Sequence, residues 1–456
     1  MNDIAGWVGE RLGVRLVDRP GDIALTDLAG LAVRRNPRRA HLVVSTVLGK
    51  HIPVAPRLCY AAGRLLGERA AAALGGPSRP DLPAAFLAAL RGDAEEPAKL
   101  ATPADPGVAV PAAPLVVGYA ETATALGHAV ADAFAGARYL HSTRRAVPGF
   151  TPAGTFDEAH SHATEHLLLP ADPSWLALAA PVVLVDDELT TGRTAAATIR
   201  ALHRLCPRAH YVVAALLDLR TAAERTVLDD LGAELGVRID VVSLAGGEVA
   251  LPPDVLRAAA DLVADLEPAA PAAPAAAPAR GRHAARAAVT RVDATWPGAL
   301  PEGGRHGFAP QHRPGLAEAV DDLAAEVAAG LPAGRILVLG TEELMYLPLR
   351  LAVALTEYRD GVRFSSTTRS PVLPVDADGY AIRTRLQFTA PEPDPAGKPR
   401  FAYNVEGRDF DGVVLVVDDA ADTPALWAPD GLVEALRLDQ TVCDALTVAV
   451  IPTVTA

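Results

Sequence analysis

The chain has little of what a disulfide-linked, secreted or membrane-spanning protein requires. Cys59, Cys206 and Cys443 are odd in number and follow no metal-ligand spacing, so we expect reduced core residues in a reducing compartment. The N-terminal segment carries acids where a secretory signal peptide needs bases. The apolar stretch Trp175–Val185 is too short to span a bilayer. These absences predict a soluble, cytoplasmic protein that has no membrane partner.

An excess of positive charge is also absent. The formal net charge is −13 at pH 7, whereas a nonspecific nucleic-acid binder needs clustered positive charge to displace counterions from phosphates. We therefore expect no nucleic-acid partner. A small phosphorylated ligand remains compatible with this charge, because a few amides, one metal ion and one or two arginines suffice locally.

The length of 456 residues favours two to three domains. Residues 267–289 are rich in Pro and Ala and have no large apolar side chain, which is typical of a semi-extended linker. We predict a first domain over residues 1–266, the linker over 267–289, and a second domain over 290–456.

Short apolar runs alternate with helical stretches in the first domain. Near-continuous hydrophobicity is expected of parallel strands that are covered on both faces. Such sheets bind ligands at the carboxyl ends of their strands. The sequence therefore predicts an α/β fold with a parallel sheet and right-handed crossovers. The predicted strands are Pro114–Gly118, Arg138–Ser142, Pro181–Asp187, Tyr211–Leu219 and Ile239–Leu244, with helices at Ala125–Phe134, Thr194–Leu205 and Thr221–Leu235.

The segment Val182–Thr194, VVLVDDELTTGRT, combines a buried strand, two acids and a Thr/Gly loop that opens a helix. Gly192 permits backbone angles and a close approach that a Cβ would forbid. The backbone amides of Thr190, Thr191, Gly192, Arg193 and Thr194 would form an anion site for a phosphate. Asp186 and Asp187 could accept hydrogen bonds from ribose hydroxyls or hold Mg²⁺ through water. A plain strand, turn and capped helix is the alternative.

This segment is similar to the 5-phosphoribosyl-1-pyrophosphate (PRPP) signature of type I phosphoribosyltransferases. The resemblance implies that the acid pair binds the ribose hydroxyls and that the Thr/Gly loop binds the 5′-phosphate. It also implies that the loop after the first core strand holds pyrophosphate through backbone amides. Here that loop comprises Gly118, Tyr119, Ala120, Glu121 and Thr122. A strand-to-helix turn with Thr caps is the alternative for it.

Charged residues beside these loops have several open interpretations. Arg144 and Arg145 follow the next strand and could clamp pyrophosphate oxygens, or remain solvated. Because Glu121 is an unfavourable neighbour for pyrophosphate, we expect it to face a metal or a cationic substrate. Lys50 and His51 follow a predicted strand and a glycine in a chain that has almost no lysine. A role for this ammonium group near phosphates competes with that of an ordinary exposed lysine.

The histidine-rich segment EAHSHATEH, residues 158–166, contains His160, His162 and His166. Its last five residues fit H-x-x-E-H, an inverted zinc-protease pattern. We reject a protease because no convincing third ligand follows. The resemblance implies a mobile hood over the site, so substrate contact in a lid, metal binding and a polar loop remain open.

Further segments resemble the phosphoribosyltransferase-like proteins encoded with tellurite-resistance (Ter) stress genes, which carry a C-terminal TRSP domain. Thr368–Pro371, with Arg369, is the tetrapeptide that names this domain. The resemblance implies a nucleoside-like metabolite as product and enzymes of the same stress operon as partners. The TRSP domain is a second α/β unit, and a diverged copy of the first is one interpretation of it. The resembling segments are residues 36–54, 117–131, 158–166, 182–194, 339–352, 366–372 and 403–405.

The sequence therefore predicts a phosphoribosyltransferase that uses Mg²⁺ as cofactor and exchanges pyrophosphate for an unknown acceptor at ribose C1. Thr190 stands where purine-salvage relatives that bind 6-oxopurines carry an acid, which disfavours hypoxanthine and guanine. A non-catalytic PRPP-binding regulator and an operon scaffold are the alternatives. A homodimer is compatible with the sequence.

Overall fold

A computed structural model describes residues 6–36, 39–92, 102, 105–157, 165–266, 287–392, 397–407, 410–438 and 442–453. Within these described residues, the first half of the chain forms ten strands and eight α-helices. Its strands are β1 (Arg15–Asp18), β2 (Ala29–Val33), β3 (His41–Ser45), β4 (Leu115–Gly118), β5 (Arg138–His141), β6 (Gly154–Asp157), β7 (Glu165–Leu168), β8 (Val182–Leu189), β9 (His210–Asp218) and β10 (Arg238–Ala250). Its helices are α1 (Gly6–Leu12), α2 (Leu25–Leu28), α3 (Pro56–Ala73), α4 (Leu82–Leu90), α5 (Thr124–Asp132), α6 (Arg193–Leu205), α7 (Ala222–Leu235) and α8 (Val255–Leu266).

The main sheet of this half has the strand order β1-β10-β9-β8-β4-β5, and all its neighbours are parallel except β1 and β10. The predicted apolar runs form its central strands because helices cover both faces, and Val182–Val185 are fully buried. Local signals fix the helix ends: Thr221 and Glu224 form a reciprocal capping box at the start of α7, and Gly236 ends it with φ +65°.

The second half builds another parallel sheet. Its elements are β11 (Ala288–Asp293), α9 (Arg313–Gly330), β12 (Ile336–Gly340), α10 (Tyr346–Leu355), β13 (Arg363–Ser366), β14 (Arg385–Phe388), β15 (Arg400–Tyr403), β16 (Phe410–Asp418), α11 (Leu432–Leu438) and β17 (Cys443–Ile451). The order is β11-β17-β16-β12-β13, with every neighbouring pair parallel. The α/β prediction is confirmed for both halves.

The two sheets share one strand order. The series β5-β4-β8-β9 in the first half corresponds to β13-β12-β16-β17 in the second. In each half the chain forms an antiparallel hairpin at the same point: β6 with β7 between β5 and β8, and β14 with β15 between β13 and β16. The strand beside the last member of each series differs between the halves. In the first half it is β10, which follows β9 in the chain, whereas in the second half it is β11, which precedes the whole series. This shared order supports the interpretation of the second half as a diverged copy.

The halves also contact each other reciprocally. Tyr139, the second residue of β5, pairs antiparallel with Phe308 of the second half through hydrogen bonds of 2.7 and 2.8 Å. Phe364, the second residue of β13, pairs in the same way with Val54 of the first half, at 2.9 Å in both directions. A helix of 18 residues follows each exchanged segment, α3 after Val54 and α9 after Phe308. Such reciprocity is the pattern of a two-fold dimer, built here within one chain.

A single hydrophobic core crosses the boundary that we predicted from the linker. The rings of Trp7 and Tyr380 meet edge to face, with centroids 4.8 Å apart. The rings of His128 and Tyr346 stack at 3.6 Å. Strand β11 begins at Ala288, within the last residues predicted as linker, whereas residues 267–286 lie outside the described part of the chain. The two-domain division from sequence therefore remains a proposal.

Two further expectations concern cysteines and membranes. All three cysteines carry free thiols, and burial raises the pKa of Cys59 to about 12. Among the described residues, no helix combines the length and apolar character needed to cross a bilayer.

The close packing of α3 on α5 generates a test of the fold. A Cβ added at Gly67 would lie 2.6 Å from the Val130 carbonyl oxygen and 2.5 Å from the Ala133 Cβ. Because backbone blocks the added methyl, Gly67→Ala should lower the free energy of unfolding by about 1–3 kcal/mol despite the better helix propensity of alanine. Denaturant unfolding measures this change.

Gly330→Ala is the matched control, since no atom lies within 4 Å of its Cβ position. It should leave the free energy of unfolding unchanged or raise it by at most about 1 kcal/mol. Equal losses in the two variants would contradict this packing.

Candidate functional site

The Thr/Gly loop between β8 and α6 has the backbone that an anion site requires. Gly192 is the N-cap residue of α6 and has φ +73°, a left-handed conformation that side chains with a Cβ rarely adopt. Arg193 and Thr194 begin the helix, where backbone amides have no carbonyl partner in a preceding turn, and the Arg193 amide donates to the Thr191 hydroxyl at 3.4 Å. The loop thus places backbone amides and threonine hydroxyls at a helix N-terminus.

The acids lie inside β8, which continues to Leu189. Successive strand residues point to opposite faces, so Asp186 and Glu188 share a face that Asp187 does not. The Asp187 amide donates to the Asp186 carboxylate at 2.9 Å, which fixes one acid relative to the other. All three carboxylates nevertheless reach the wall of one cavity.

This cavity of about 350 Å³ brings together most of the residues predicted from sequence. It joins the acids and the Thr/Gly loop to the loop after β4, and the TRSP tetrapeptide of the second half closes part of its wall. The predicted residues that line it are Lys50, Tyr119, Ala120, Glu121, Thr122, Arg144, His166, Asp186, Asp187, Thr190, Thr191, Gly192, Thr194 and Arg369.

Direct hydrogen bonds fix the loop after β4. The Lys50 ammonium donates to the Thr122 hydroxyl at 2.6 Å, which places a positive charge on this loop. The Tyr119 hydroxyl donates to Thr198 of α6 at 2.9 Å and so ties the loop to the helix that follows Gly192. Burial raises the pKa of Tyr119, so its hydroxyl stays protonated as a donor.

His166 supports the same loop from the hairpin side. Its Nδ1 lies 2.8 Å from the Ser142 hydroxyl, which accepts from the Ala120 amide at 3.0 Å. The imidazole stacks on Phe156 with the ring centroids 4.9 Å apart. His166 thus lies at the cavity, where we predicted a substrate or lid residue, whereas His160 and His162 lie outside the described residues.

Glu121 has a partner that the sequence did not suggest. We expected a metal or a cationic substrate, but its carboxylate lies 2.6 Å from Nε of Arg369, a cation of the second half. Burial is the main cause that raises the pKa of Glu121, and the nearby Glu342 adds to it, while Arg369 opposes both. Arg369 of the TRSP tetrapeptide therefore contributes a positive charge to the cavity wall and pairs there with Glu121.

Four other predicted residues do not line the cavity. Gly118 is needed for packing instead, because a Cβ there would lie 2.5 Å from the Tyr139 hydroxyl. Arg145 forms ion pairs with Glu342 at 2.8 Å and with Glu392, so it clamps carboxylates of the second half in this structure. The Arg193 side chain is exposed, and its amide donates to the Thr191 hydroxyl at 3.4 Å. His51 is buried, and its carbonyl accepts from Asn404 at 2.9 Å.

Sequence reasoning missed the β2–β3 side of the cavity. Arg34, Arg39 and Leu42 line it together with Glu188. Arg39 pairs with Glu188 at 2.9 Å, and although burial raises the pKa of that carboxyl, Arg39 opposes the rise. The arginine-rich run at residues 34–39 and the position of Glu188 within VVLVDDELTTGRT were the available signals.

The corresponding place in the second half is filled by protein. Gly118 ends β4 and Gly340 ends β12, so these two glycines correspond. Gly118 pairs with Val185, and Leu339, one residue before Gly340, pairs with Leu415. The residue two positions after Val185, Asp187, therefore corresponds to Asp418. Arg305, in a Gly-Arg-His sequence that parallels Gly49–His51, pairs there with Glu343 at 3.3 Å and Asp418 at 3.5 Å. The space that remains is about 10 Å³, roughly the room for one water. An internal ion-pair cluster thus closes the second site.

Two protein-family models match separate parts of the chain. Residues 28–248 match the family described as phosphoribosyl transferase. Residues 302–436 match the TRSP domain, which is described as C-terminal to that transferase. A search of curated proteins gave no match.

Several solved structures are similar to part of the chain at low sequence identity. Adenine phosphoribosyl transferase from Trypanosoma brucei, in complex with AMP, pyrophosphate and ribose-5-phosphate, is 15% identical with a TM-score of 0.21, and the match covers 29% of this chain and 56% of that enzyme. APRTase from Giardia lamblia is 18% identical over 30% of this chain and 71% of that chain, with a TM-score of 0.22. Orotate phosphoribosyltransferase from Mycobacterium tuberculosis is 16% identical over 42% and 89%, with a TM-score of 0.17.

Gly192→Ala tests the left-handed loop. The added Cβ should cost about 1–2 kcal/mol of stability at φ +73° and tilt the loop amides. We expect the affinity for ribose 5-phosphate, measured by titration calorimetry, to fall about tenfold or more. Gly236→Ala, at φ +65° and with open space around its Cβ position, should cost similar stability without changing this affinity. Unchanged affinity in Gly192→Ala would exclude the loop as the phosphate site.

Glu343 gives a pH test of the closed second site. Burial alone would raise its pKa, but Arg305 and other partners lower it to about 2. A lowered pKa contributes stability above the unfolded value, and this contribution is lost as pH falls through the folded value. The unfolding free energy of Glu343→Gln should therefore fall less steeply than wild type between about pH 5 and pH 3. Glu326→Gln, which changes an exposed acid of α9, should keep the wild-type slope, and an unchanged slope in Glu343→Gln would exclude the ion pair.

Proposed function

We propose that this chain, in which a phosphoribosyl transferase domain is followed by a TRSP domain, is a Mg²⁺-dependent phosphoribosyltransferase. It acts on PRPP or another ribose 5-phosphate compound and releases or uses pyrophosphate. One observation carries the proposal: a single cavity joins the acid pair and Thr/Gly loop to the loop after β4. Those are the segments that the sequence assigns to the two ends of PRPP.

The donor set fits Mg²⁺ bound largely through water and ligand oxygens. Among the described residues, no group of three or more His, Cys, Asp or Glu side chains has the arrangement of a metal site. Asp186 and Asp187 supply carboxylate oxygens at the cavity, and Mg²⁺ commonly takes one or two carboxylates together with substrate phosphates. When bound, the ion would neutralise charge on the pyrophosphate group.

In the proposed reaction, the bond between ribose C1 and the pyrophosphate oxygen breaks as the acceptor nucleophile bonds to C1. Asp186 and Asp187 orient the ribose hydroxyls and stabilise positive charge that develops at the sugar. The amides and hydroxyls of Thr190–Thr194 hold the 5′-phosphate. Lys50, Arg144 and the loop after β4 stabilise the negative charge that builds on the leaving pyrophosphate.

The remaining wall is available for the acceptor. It is formed by Arg34, Leu42 and the Arg39–Glu188 pair, so an acceptor would meet polar groups of both signs. The wider setting that we propose is the synthesis of a nucleoside-like metabolite linked to tellurite and stress resistance in the cytoplasm. That setting is supported by the resemblance of the sequence segments to Ter-associated proteins.

Turnover tests the enzymatic proposal. The double variant Asp186→Asn/Asp187→Asn should lose pyrophosphate release by about 100-fold or more, because both carboxylates that face the ribose become neutral. The assay mixes the protein with Mg²⁺, PRPP and a metabolite extract and measures released pyrophosphate. Asp230→Asn, which changes an exposed acid of α7, should keep wild-type release.

If wild-type release does not exceed that of the double variant, the enzyme proposal fails. PRPP binding without turnover would then favour a non-catalytic PRPP-binding regulator. Absence of both binding and turnover would leave the operon scaffold.

A further inference from the structure

Glu342 holds an unusual position in the second half. It is the second residue after β12, following Thr341, and the residue is 2% exposed. Its φ is +45°, which is uncommon for a residue with a side chain. Its amide donates to the Thr367 hydroxyl at 3.1 Å, and this bond holds the backbone in place. An uncommon backbone conformation persists only where the surroundings determine it, and such positions cluster at functional sites.

Three guanidinium groups converge on this carboxylate. Arg145 approaches one oxygen at 2.8 Å, Arg369 the same oxygen at 2.6 Å, and Arg400 the other oxygen at 2.6 Å. They come from three elements: the loop after β5, the loop after β13, and β15. Burial would raise the pKa of Glu342, but the three arginines lower it, so the carboxylate stays charged. Glu342 is therefore the anionic centre of a cluster that spans both halves.

One member of this cluster faces the cavity. The Arg369 side chain is 29% exposed and lies 2.6 Å from both Glu121 and Glu342. Thr368, Ser370 and Pro371 line the same wall. This wall adjoins the loop after β4, which the proposed function assigns to pyrophosphate. The Nε of Arg369 is thus held by Glu342 and Glu121, while the side chain lies at the end of the cavity that the proposed function assigns to pyrophosphate.

We propose that Glu342 is a positioning residue that holds Arg369 for the pyrophosphate group, so that the TRSP half completes the ligand site of the first half in cis. This inference rests on the proposed function of the cavity. The second half keeps its counterpart site closed by Arg305, Glu343 and Asp418, and contributes its loops to the open one. One chain then presents one complete PRPP site.

Arg369 should act on one end of the ligand only. PRPP carries the pyrophosphate that Arg369 would contact, whereas ribose 5-phosphate carries only the group that the Gly192 loop would bind. We expect Arg369→Ala and Glu342→Gln each to weaken PRPP binding by about tenfold and to change ribose 5-phosphate binding by less than about twofold. Titration calorimetry with each compound and Mg²⁺ measures both affinities.

A double-mutant cycle distinguishes positioning from direct contact. If Glu342 acts through Arg369, Glu342→Gln should weaken PRPP binding no further in the Arg369→Ala background. Glu68→Gln is the matched control, because it neutralises another buried carboxylate that pairs with an arginine, Arg79, away from the cavity. It should bind both compounds as wild type does.

Several results would overturn the inference. Equal losses for PRPP and ribose 5-phosphate would show a structural role for Glu342, and additive losses in the cycle would show that it does not act through Arg369. Because Arg369 is partly exposed, Arg369→Ala remains informative if Glu342→Gln fails to fold. Wild-type protein that binds neither compound would refute the proposed function itself, whereas wild-type binding with no effect of Arg369→Ala would refute this inference alone.

Discussion

The architecture depends on one constraint: the parallel strands of two sheets end at a common internal interface. Loops at the carboxyl ends of parallel strands carry the ligand-binding groups of an α/β protein. In this chain those loops face each other, so Glu121 after β4 meets Arg369 after β13, and Thr143 after β5 donates to Glu343 after β12 at 2.8 Å. Polar residues in the loops of one sheet therefore form ion pairs and hydrogen bonds with polar residues in the loops of the other. Separation of the halves would leave several buried charges without partners.

The two similar halves make reciprocal contacts, but their corresponding sites are unequal. Each half lends a segment to the edge strand of the other, yet the cavity at these loops measures about 350 Å³ in the first half and about 10 Å³ at the corresponding place in the second. The first half keeps Gly192 and the threonines around it, which offer amides and hydroxyls to an anion. The second half has Pro424 in the loop after β16, which has no amide hydrogen to donate. Arg305 further occupies the space between Glu343 and Asp418. In the second half the corresponding residues thus form ion pairs in the interior rather than lining an open cavity.

The sequence predicted what depends on local patterns. Buried strands such as β8 and β12 appear as continuous apolar runs, and the Gly192 loop is recognisable because its conformation needs glycine. Strand β10 is longer than predicted because its second part pairs with β1, a contact that no local pattern shows. The roles of Arg145 and Arg369 were also inaccessible, since their carboxylate partners lie about 200 and 250 residues away for Arg145–Glu342 and Arg369–Glu121. Gly118 showed that a motif glycine can serve packing rather than the ligand.

The most direct test of the central claim is a crystal structure of the protein with PRPP and Mg²⁺. The account predicts the 5′-phosphate against the amides of Thr190–Thr194, the ribose hydroxyls against Asp186 and Asp187, and the pyrophosphate between the loop after β4 and Arg369. A ligand bound at the counterpart loop beside Asp418, or a cavity that binds no phosphorylated ribose at saturating concentration, would contradict it.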